Sequence, residues 1–345
     1  MVTVIYDLTM VLPEIVIIIG AMLTLLFGAY ANRDAVHFPS VIITISLSFL
    51  VLALWLLQKI PSGSIELFNG MYVRNSFTEV VKILIIVSGI AVSLMLIPPK
   101  NKTYGFHFEV PVLMNLSISG MLILVSANTL LTLYVGLELM SLPLYILAAS
   151  ERNNHLSTEA GMKYFVLGAL ASGLYLFGAS YIYGYTGTLS FDGIYDFYDN
   201  SGTENSDAST PIGFLVGLIF VMVAFCFKIS AVPFHMWTPD VYQGSPTVIT
   251  AFFASAPKVA GTALMTWLLL DPFYNLLNEW SQIIYFVSAA SMVVGSLGAI
   301  MQTNFKRLLA YSSIGHIGFA LIGLATVEYD GIRGVLMYLM IYLSM

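Results

Sequence analysis

Residues 220–247 read FVMVAFCFKISAVPFHMWTPDVYQGSPT and place a lysine and three prolines in or beside an apolar run. Pro233 has no N–H to donate to the Ile229 carbonyl, the residue directly after Lys228. We therefore predict a helix that is interrupted between Lys228 and Pro233. Irregular backbone persists at membrane depth only where protein or water covers it, and broken helices are where transporters place ion sites. The stretch thus predicts an ion or proton site.

His235 lies in the same stretch, seven positions after Lys228. If helical geometry resumes after the break, seven positions are about two turns, so both side chains lie on roughly one face. A histidine, with a pKa near 6.5, suits a proton relay. The alternative is a histidine at the membrane interface that bonds a backbone carbonyl.

The whole chain has the composition of a membrane protein. Of its 345 residues 58% are hydrophobic and 9% are charged, and the mean hydropathy is +0.88; soluble domains carry about 25% charged residues. The apolar runs are continuous rather than alternating, and a helix needs about 20 residues to cross a bilayer. We predict an all-α polytopic protein with spans near 12–30, 39–57, 76–97, 109–127, 129–150, 159–184, 211–236, 247–270, 280–301 and 306–327, and an eleventh from 332.

Several classes of function are disfavoured. The single cysteine, Cys226, excludes an intrachain disulfide, an iron–sulfur cluster and a cysteine-rich zinc site. The chain has neither G-x-G-x-x-G nor a Walker motif, so we expect no nucleotide site on it.

The eleventh run has about 14 residues before Met345, fewer than a span needs, so we expect a C-terminally truncated product or a fragment.

Basic residues in the loops indicate the orientation. Under the positive-inside rule, the side with more lysine and arginine faces the cytoplasm, which places the N-terminus outside, in the periplasm of a bacterium. The acidic loop 185–210 contains no lysine or arginine, and we expect its polar part, 198–210, to be mobile. Loops after odd-numbered spans carry Arg33, Lys100, Lys102, Arg152, Lys306 and Arg307, and those after even-numbered spans carry Lys59, Arg74 and Arg333.

Glu138 lies within the apolar segment TLLTLYVGLELMSLPLYIL, residues 129–147, and Pro143 can kink the helix beside it. A buried acid can hold and release a proton near neutral pH. At about 4 Å and an effective dielectric near 20, a carboxylate and a lysine interact by about 4 kcal/mol, so opening a Glu138–Lys228 pair could push a proton onward. The alternative is a carboxylate that only pairs with a lysine to pack helices.

Three further ionisable residues are candidates. Lys258 follows Pro257 and lies about eleven positions into its span, too deep for snorkelling, which favours an intermediate proton station. Lys163 comes one turn after Glu159 near a helix start, so relay and snorkelling remain equal alternatives. His316 lies in the middle of its span and is either a relay member or a core histidine.

Three segments carry a family resemblance. They are LYVGLELMSLPLYIL (133–147), FKISAVPFHMWTPDVYQGSPTVITAFFASAPKVAG (227–261) and NFKRLLAYSSIGHIGFALIG (304–323). All three resemble the antiporter-like membrane subunits of respiratory complex I, and VYQGSPT followed by APKVAG resembles the subunit N branch of that family. The resemblance extends over the whole chain and is strongest over 110–325.

The resemblance implies an antiporter-like bundle of 14 helices with two inverted five-helix repeats and a broken helix 7. It divides this chain into a three-helix segment (1–108), a first, proton-translocating repeat (109–270) and an incomplete second repeat (271–345). It also implies a path from a glutamate of helix 5 and a lysine of helix 7 to a lysine of helix 8, with an exit on a broken helix 12 that this chain does not reach. The matching residues are Glu138, Lys228 and Lys258, with Lys163 as the lysine of helix 6 and His235 and His316 as accompanying histidines.

The same resemblance implies a subunit of a proton-translocating NADH:quinone oxidoreductase that has no redox centre, cofactor or metal of its own. NADH, FMN, iron–sulfur clusters and quinone would belong to partner subunits. The partners implied are other antiporter-like and quinone-site membrane subunits and the lipid bilayer, not nucleic acid. The location is the bacterial inner membrane, or the mitochondrial one for an organellar chain. The alternatives are a subunit of an Mrp-type cation/proton antiporter and a non-pumping scaffold.

Overall fold

A computed structural model describes residues 2–31, 38–60, 63–97, 107–204 and 211–345. The described part is helical apart from one short antiparallel hairpin, in which Ile65 pairs with Arg74 and Leu67 with Tyr72. In chain order the elements are α1 (Val2–Met10), α2 (Leu12–Tyr30), α3 (Phe38–Lys59), β1 (Ile65–Leu67), β2 (Tyr72–Arg74), α4 (Ser76–Met95), α5 (Glu109–Val125), α6 (Leu130–Ala148), α7 (His155–Thr186), α8 (Phe191–Glu204), α9 (Ile212–Ile229), α10 (Trp237–Gly244), α11 (Thr247–Ala254), α12 (Ala256–Leu270), a 3-10 turn (Tyr274–Leu276), α13 (Leu277–Ile300), α14 (Phe305–Ala325) and α15 (Tyr329–Ser344).

The prediction of an all-α polytopic membrane protein is confirmed. Within the described residues, nine helical stretches are long and apolar enough to cross a bilayer, and α5 is a shorter apolar helix of 17 residues. Together they fall at the ten predicted spans, and α15 occupies the predicted eleventh. Sequence reasoning found these helices because about 20 apolar residues in a row are a local signal.

The break in the seventh span lies where the prolines predict it. Helix α9 ends at Ile229, and Ser230 takes a left-handed conformation with φ of 64°. The chain then forms turns and re-enters a helix at Trp237. The eighth span differs from the prediction, because the expected single helix 247–270 divides at Ser255 into α11 and α12. Pro257 explains the division, since it has no N–H to donate to the Phe253 carbonyl.

The acidic segment 185–210 contains more structure than predicted. The expected mobile stretch begins at 198, yet α8 is helical from Phe191 to Glu204. Ser190 accepts a hydrogen bond from Gly193 N at 3.0 Å, and Phe191 and Ile194 are buried, so a cap and an apolar face hold this helix. Residues 205–210, and the loop residues Arg33, Lys100 and Lys102 used for orientation, lie outside the described residues.

Helices α5 and α6 pack closely at the level of Glu138. A Cβ atom on Gly120 would lie 2.4 Å from the backbone nitrogen of Met140, so only glycine permits this approach. Ser117 Oγ also donates to the Met140 carbonyl at 3.0 Å. The contact fixes α6, and therefore Glu138, against a neighbouring helix.

Candidate functional site

Lys258 fills the break in the seventh span. Its Nζ donates to the Ile229 carbonyl at 2.7 Å and to Ser230 Oγ at 2.5 Å. The Ile229 carbonyl is the acceptor that Pro233 cannot satisfy, so a lysine from α12 replaces the missing backbone donor. Lys258 is 1% exposed, so its ammonium group is bonded by these two protein oxygens rather than by bulk solvent.

Lys228 lies in the last turn of α9, directly before the two residues that Lys258 contacts. Its Nζ donates to Ser141 Oγ at 2.7 Å and to the Tyr145 hydroxyl at 3.1 Å. The residue is buried, and both partners belong to α6. Lys228 and the two residues that Lys258 contacts are therefore consecutive in the chain, at the same helix break.

The predicted Glu138–Lys228 contact is not formed. Within the described residues no ion pair joins the two side chains; Glu138 Oε1 accepts a hydrogen bond from Ser172 Oγ of α7 instead. Ser141 lies one turn after Glu138 on α6 and takes the contact with Lys228. Which hydroxyls would intervene could not be predicted, because it depends on how α6, α7 and α9 are rotated against one another.

Aromatic rings connect the surroundings of the two buried lysines. Tyr145 packs edge-on against Tyr164, with ring centroids 4.8 Å apart, and Tyr164 stacks on Trp237 at 4.4 Å. The Nζ of Lys228 lies 5.6 Å from the Tyr145 ring centre, and that of Lys258 lies 5.6 Å from the Trp237 ring centre. Aromatic faces attract cations, so the rings favour the charged form of both lysines.

Lys163 lies apart from these two lysines, in a partly exposed ion network. Its Nζ is 2.8 Å from Glu159 Oε1 and 2.8 Å from Asp240 Oδ2. Arg307 Nη1 contacts the other Asp240 oxygen at 2.6 Å and Gln243 Oε1 at 3.0 Å. The side chains of Lys163 and Asp240 are 42% and 36% exposed, and they line a cavity of about 200 Å³. Asp240 joins α7, α10 and α14 and was not predicted as a partner.

The two candidate histidines have different surroundings. His235 is half-buried, and its Nδ1 has no hydrogen-bond partner in the described part of the chain. The Nδ1 of His316 lies 2.7 Å from the Tyr338 hydroxyl of α15. His316 also lines a cavity of about 500 Å³ together with Ser255, which lies at the break between α11 and α12. Their roles in a relay remain predictions.

Sequence reasoning missed the polar partners and a second group of buried charges. Ser141, Tyr145 and Ser230 look like ordinary span residues, although the spacing of Ser141 three positions after Glu138 is a usable signal. Glu14 and Lys82 lie inside predicted spans and form a buried ion pair at 2.7 Å. Their signal was the same as that of the residues singled out, namely charge within an apolar run.

One missed acid lies just outside a span. Asp271 directly follows α12, the helix that carries Lys258. Burial, and next the nearby Asp192 carboxylate, raise the pKa of Asp271 to about 6. This acid changes protonation near neutral pH at the far end of the Lys258 helix.

Among the described residues, no group of three histidine, cysteine or acidic side chains could hold a metal ion.

The Asp240 network supports a prediction about stability. Replacing Asp240 by asparagine removes the shared acceptor of Lys163 and Arg307. Because the side chains are about a third exposed and screened, we expect a loss of about 0.5–1 kcal/mol, and a smaller loss in high salt. Thermal unfolding of the assembled complex at low and high salt measures it. Glu66→Gln, at an exposed carboxylate of β1 that forms no ion pair among the described residues, is the matched control, and a loss that does not change with salt would contradict this account.

Comparisons with known proteins identify the family of this chain. The family described as NADH:quinone oxidoreductase/Mrp antiporter, TM, matches residues 127–345. NADH-quinone oxidoreductase subunit N of Parvibaculum lavamentivorans is 48% identical over 334 residues, 97% of this chain and 67% of that protein. The subunit N of Paramagnetospirillum magneticum is 44% identical over 339 residues, 98% of this chain and 69% of that protein.

Solved structures give the same result. A chain of respiratory complex I from Thermus thermophilus with bound aureothin is 30% identical with a TM-score of 0.77, over 96% of this chain and 67% of that one. A chain of the Mrp complex from Dietzia is 19% identical with a TM-score of 0.76, over 98% of this chain and 63% of that one, and it shows a shared fold alone. The chain belongs to the NADH:quinone oxidoreductase/Mrp antiporter family of membrane subunits, and its curated relatives are subunit N proteins.

Proposed function

We propose that this chain is a membrane subunit of an NADH:quinone oxidoreductase and carries protons through the bilayer while other subunits transfer electrons. One observation carries the proposal: Lys228 and Lys258 are both buried and both lie at a single helix break. Lys228 directly precedes Ile229 and Ser230, the two residues that Lys258 contacts. Buried lysines change their protonation readily, and such residues within a membrane are functional candidates by default.

The contacts suggest an order of transfer. Glu138 lies on the same helix as Ser141 and Tyr145, the two partners of Lys228, so its carboxylate is placed to stabilise the charged lysine. When Glu138 is neutralised or moves away, Lys228 releases its proton more easily. Lys258, which contacts the two residues that follow Lys228, serves as the acceptor across the break once its own proton has left. Each proton transfer requires the receiving lysine to be neutral first.

The orientation and the division of the chain are proposed from the charges of the loops and from the family resemblance. Residues 109–270 form the proton-translocating repeat, 1–108 a three-helix segment and 271–345 the start of a second repeat. The N-terminus faces the periplasm of a bacterial inner membrane. NADH, FMN, iron–sulfur clusters and quinone belong to partner subunits, so this chain supplies no redox chemistry. Neighbouring membrane subunits and lipid surround it.

Replacing Lys228 by methionine tests the proposal. The substitution keeps the apolar stem and removes the charge, so we expect NADH oxidation to persist while protons pumped per electron pair fall by about tenfold or more at this subunit. Proteoliposomes that contain the assembled complex measure both rates. Lys59→Met, at the exposed end of α3, is the matched control.

Two results would decide against this function. An unchanged pumping ratio in the Lys228→Met complex would favour a scaffold without proton transfer. Proton movement that needs sodium and continues without NADH would favour the Mrp-type antiporter. The relatives named above speak for the oxidoreductase, because the resemblance to the Mrp chain concerns the fold alone.

A further inference from the structure

A second group of buried charges lies outside the site described above. Lys82 Nζ donates to Glu14 Oε1 at 2.7 Å and also to the Tyr72 hydroxyl. Tyr72 in turn donates to the same Glu14 oxygen at 2.7 Å. Glu14 and Lys82 are 1% and 2% exposed, and the other carboxylate oxygen, Oε2, has no hydrogen-bond partner among the described residues. The three side chains come from α2, α4 and the hairpin.

Arg74 extends this group to the ends of two further helices. Its guanidinium contacts Glu79 at 2.8 Å, the Met10 carbonyl at 3.3 Å and the Leu57 carbonyl at 3.2 Å. Met10 ends α1, and Leu57 lies in the last turn of α3, so a buried cation satisfies carbonyls at two helix C-termini. The hairpin is thus bonded to all four N-terminal helices. Tyr72 contacts α2 and α4, and Arg74 contacts α1 and α3.

The same hairpin is hydrogen-bonded to the start of α6. Val73 N donates to the Ser126 carbonyl at 2.8 Å, and Asn128 N donates to the Met71 carbonyl at 3.1 Å. Thr129 then caps α6 by accepting a bond from Thr132 N at 3.1 Å. Glu138 lies eight residues after Leu130, the first residue of α6, which is about two turns.

We propose that Glu14, Tyr72 and Lys82 are positioning residues that hold the hairpin in place. Through the hairpin they set the position of α6 along its own axis, and therefore the position of Glu138. The ion pair acts through the hairpin, because among the described residues no hydrogen bond or ion pair joins either charged side chain to α6 or to Lys228. Only the pumping readout of this proposal rests on the proposed function.

A single and a double substitution test it in the assembled complex. Lys82→Met leaves the Glu14 charge buried without its partner, whereas Glu14→Gln with Lys82→Met leaves no charge, and such charge-free replacements are well tolerated. For the single variant we expect hydrogen exchange at the Val73 and Asn128 amides to rise about tenfold. We also expect less pumping per electron pair and a shifted pH profile. In the double variant we expect hydrogen exchange and pumping per electron pair to lie within about twofold of the unaltered complex, and the pH profile to return to its original position.

Two outcomes would overturn the proposal. Unchanged exchange in Lys82→Met would show that the pair does not hold the hairpin. A double variant with protected amides but lost pumping would show that the pair carries protons instead. If Lys82→Met fails to assemble, Tyr72→Phe takes its place under the same criteria, because it keeps the ring and removes the hydroxyl that joins the hairpin to Glu14 and Lys82.

Lys59→Met is again the matched lysine control. Glu138→Gln separates this proposal from the proposed function. If Glu138→Gln pumps normally the proton-transfer function fails, while the exchange of Val73 and Asn128 still decides the positioning role.

Discussion

Lys258→Met is expected to stop pumping through this subunit and to destabilise the broken helix. The substitution removes the group that we propose carries the proton, and it leaves the buried Ile229 carbonyl without its donor. A stranded buried acceptor costs about 1–3 kcal/mol. Proton-to-electron ratios in proteoliposomes and thermal unfolding of the complex measure the two effects separately.

Lys258→Arg separates the two roles of this lysine. A guanidinium keeps the charge and the donors for Ile229 and Ser230 but does not lose its proton in a protein. We therefore expect an assembled complex with more of its stability retained than in Lys258→Met, and with pumping still absent. Normal pumping in Lys258→Arg would mean that this residue holds the break together and transfers no proton.

Gly168→Ala is expected to impair pumping without removing any ionisable group. A Cβ atom on Gly168 would lie 2.1 Å from the Tyr145 hydroxyl and 2.6 Å from its Cζ, so the rigid ring must move. Tyr145 is buried and bonds Lys228, so its displacement removes one of the two contacts of that lysine. We expect a loss of pumping of about tenfold or more, since a hydrogen bond to a charged group contributes about 1.5–3 kcal/mol and about 1.4 kcal/mol corresponds to a factor of ten.

Gly173→Ala is the matched control on the same helix. A Cβ atom at Gly173 meets no other atom within 4 Å, so the change adds a methyl group in open space. Both substitutions raise helix propensity equally, by about 1 kcal/mol. Tyr145→Phe should reproduce the defect of Gly168→Ala with the ring left in place. Equal pumping in the two alanine variants would refute the role of the Tyr145 contact.

Much of the fold could be predicted from local sequence. The ten spans and the interruption at Lys228–Pro233 follow from runs of apolar residues and from the missing N–H of proline. The second break, at Ser255, had the same kind of signal in Pro257 and was overlooked. The capped helix at Phe191 was missed because its acidic composition resembles that of a loop.

The candidate site could be predicted only in part. Glu138, Lys228 and Lys258 were recognisable one by one, since each places charge in an apolar run. Their partners were not, and the expected Glu138–Lys228 pair is replaced by contacts of each residue with a separate hydroxyl group. Lys163 proved to belong to a partly exposed network around Asp240.

The sequence by itself determined where this chain crosses the membrane, where a helix breaks, and which residues place charge in the bilayer. Tertiary structure decided which groups meet: Lys258 with the Ile229 carbonyl, and Glu14 with Lys82, 68 positions apart. The reason is physical. Lipid and protein interior are both apolar, so a membrane helix does not reveal in its sequence pattern which face a neighbour will cover. Only the packing of the helices selects the partner of each buried charge.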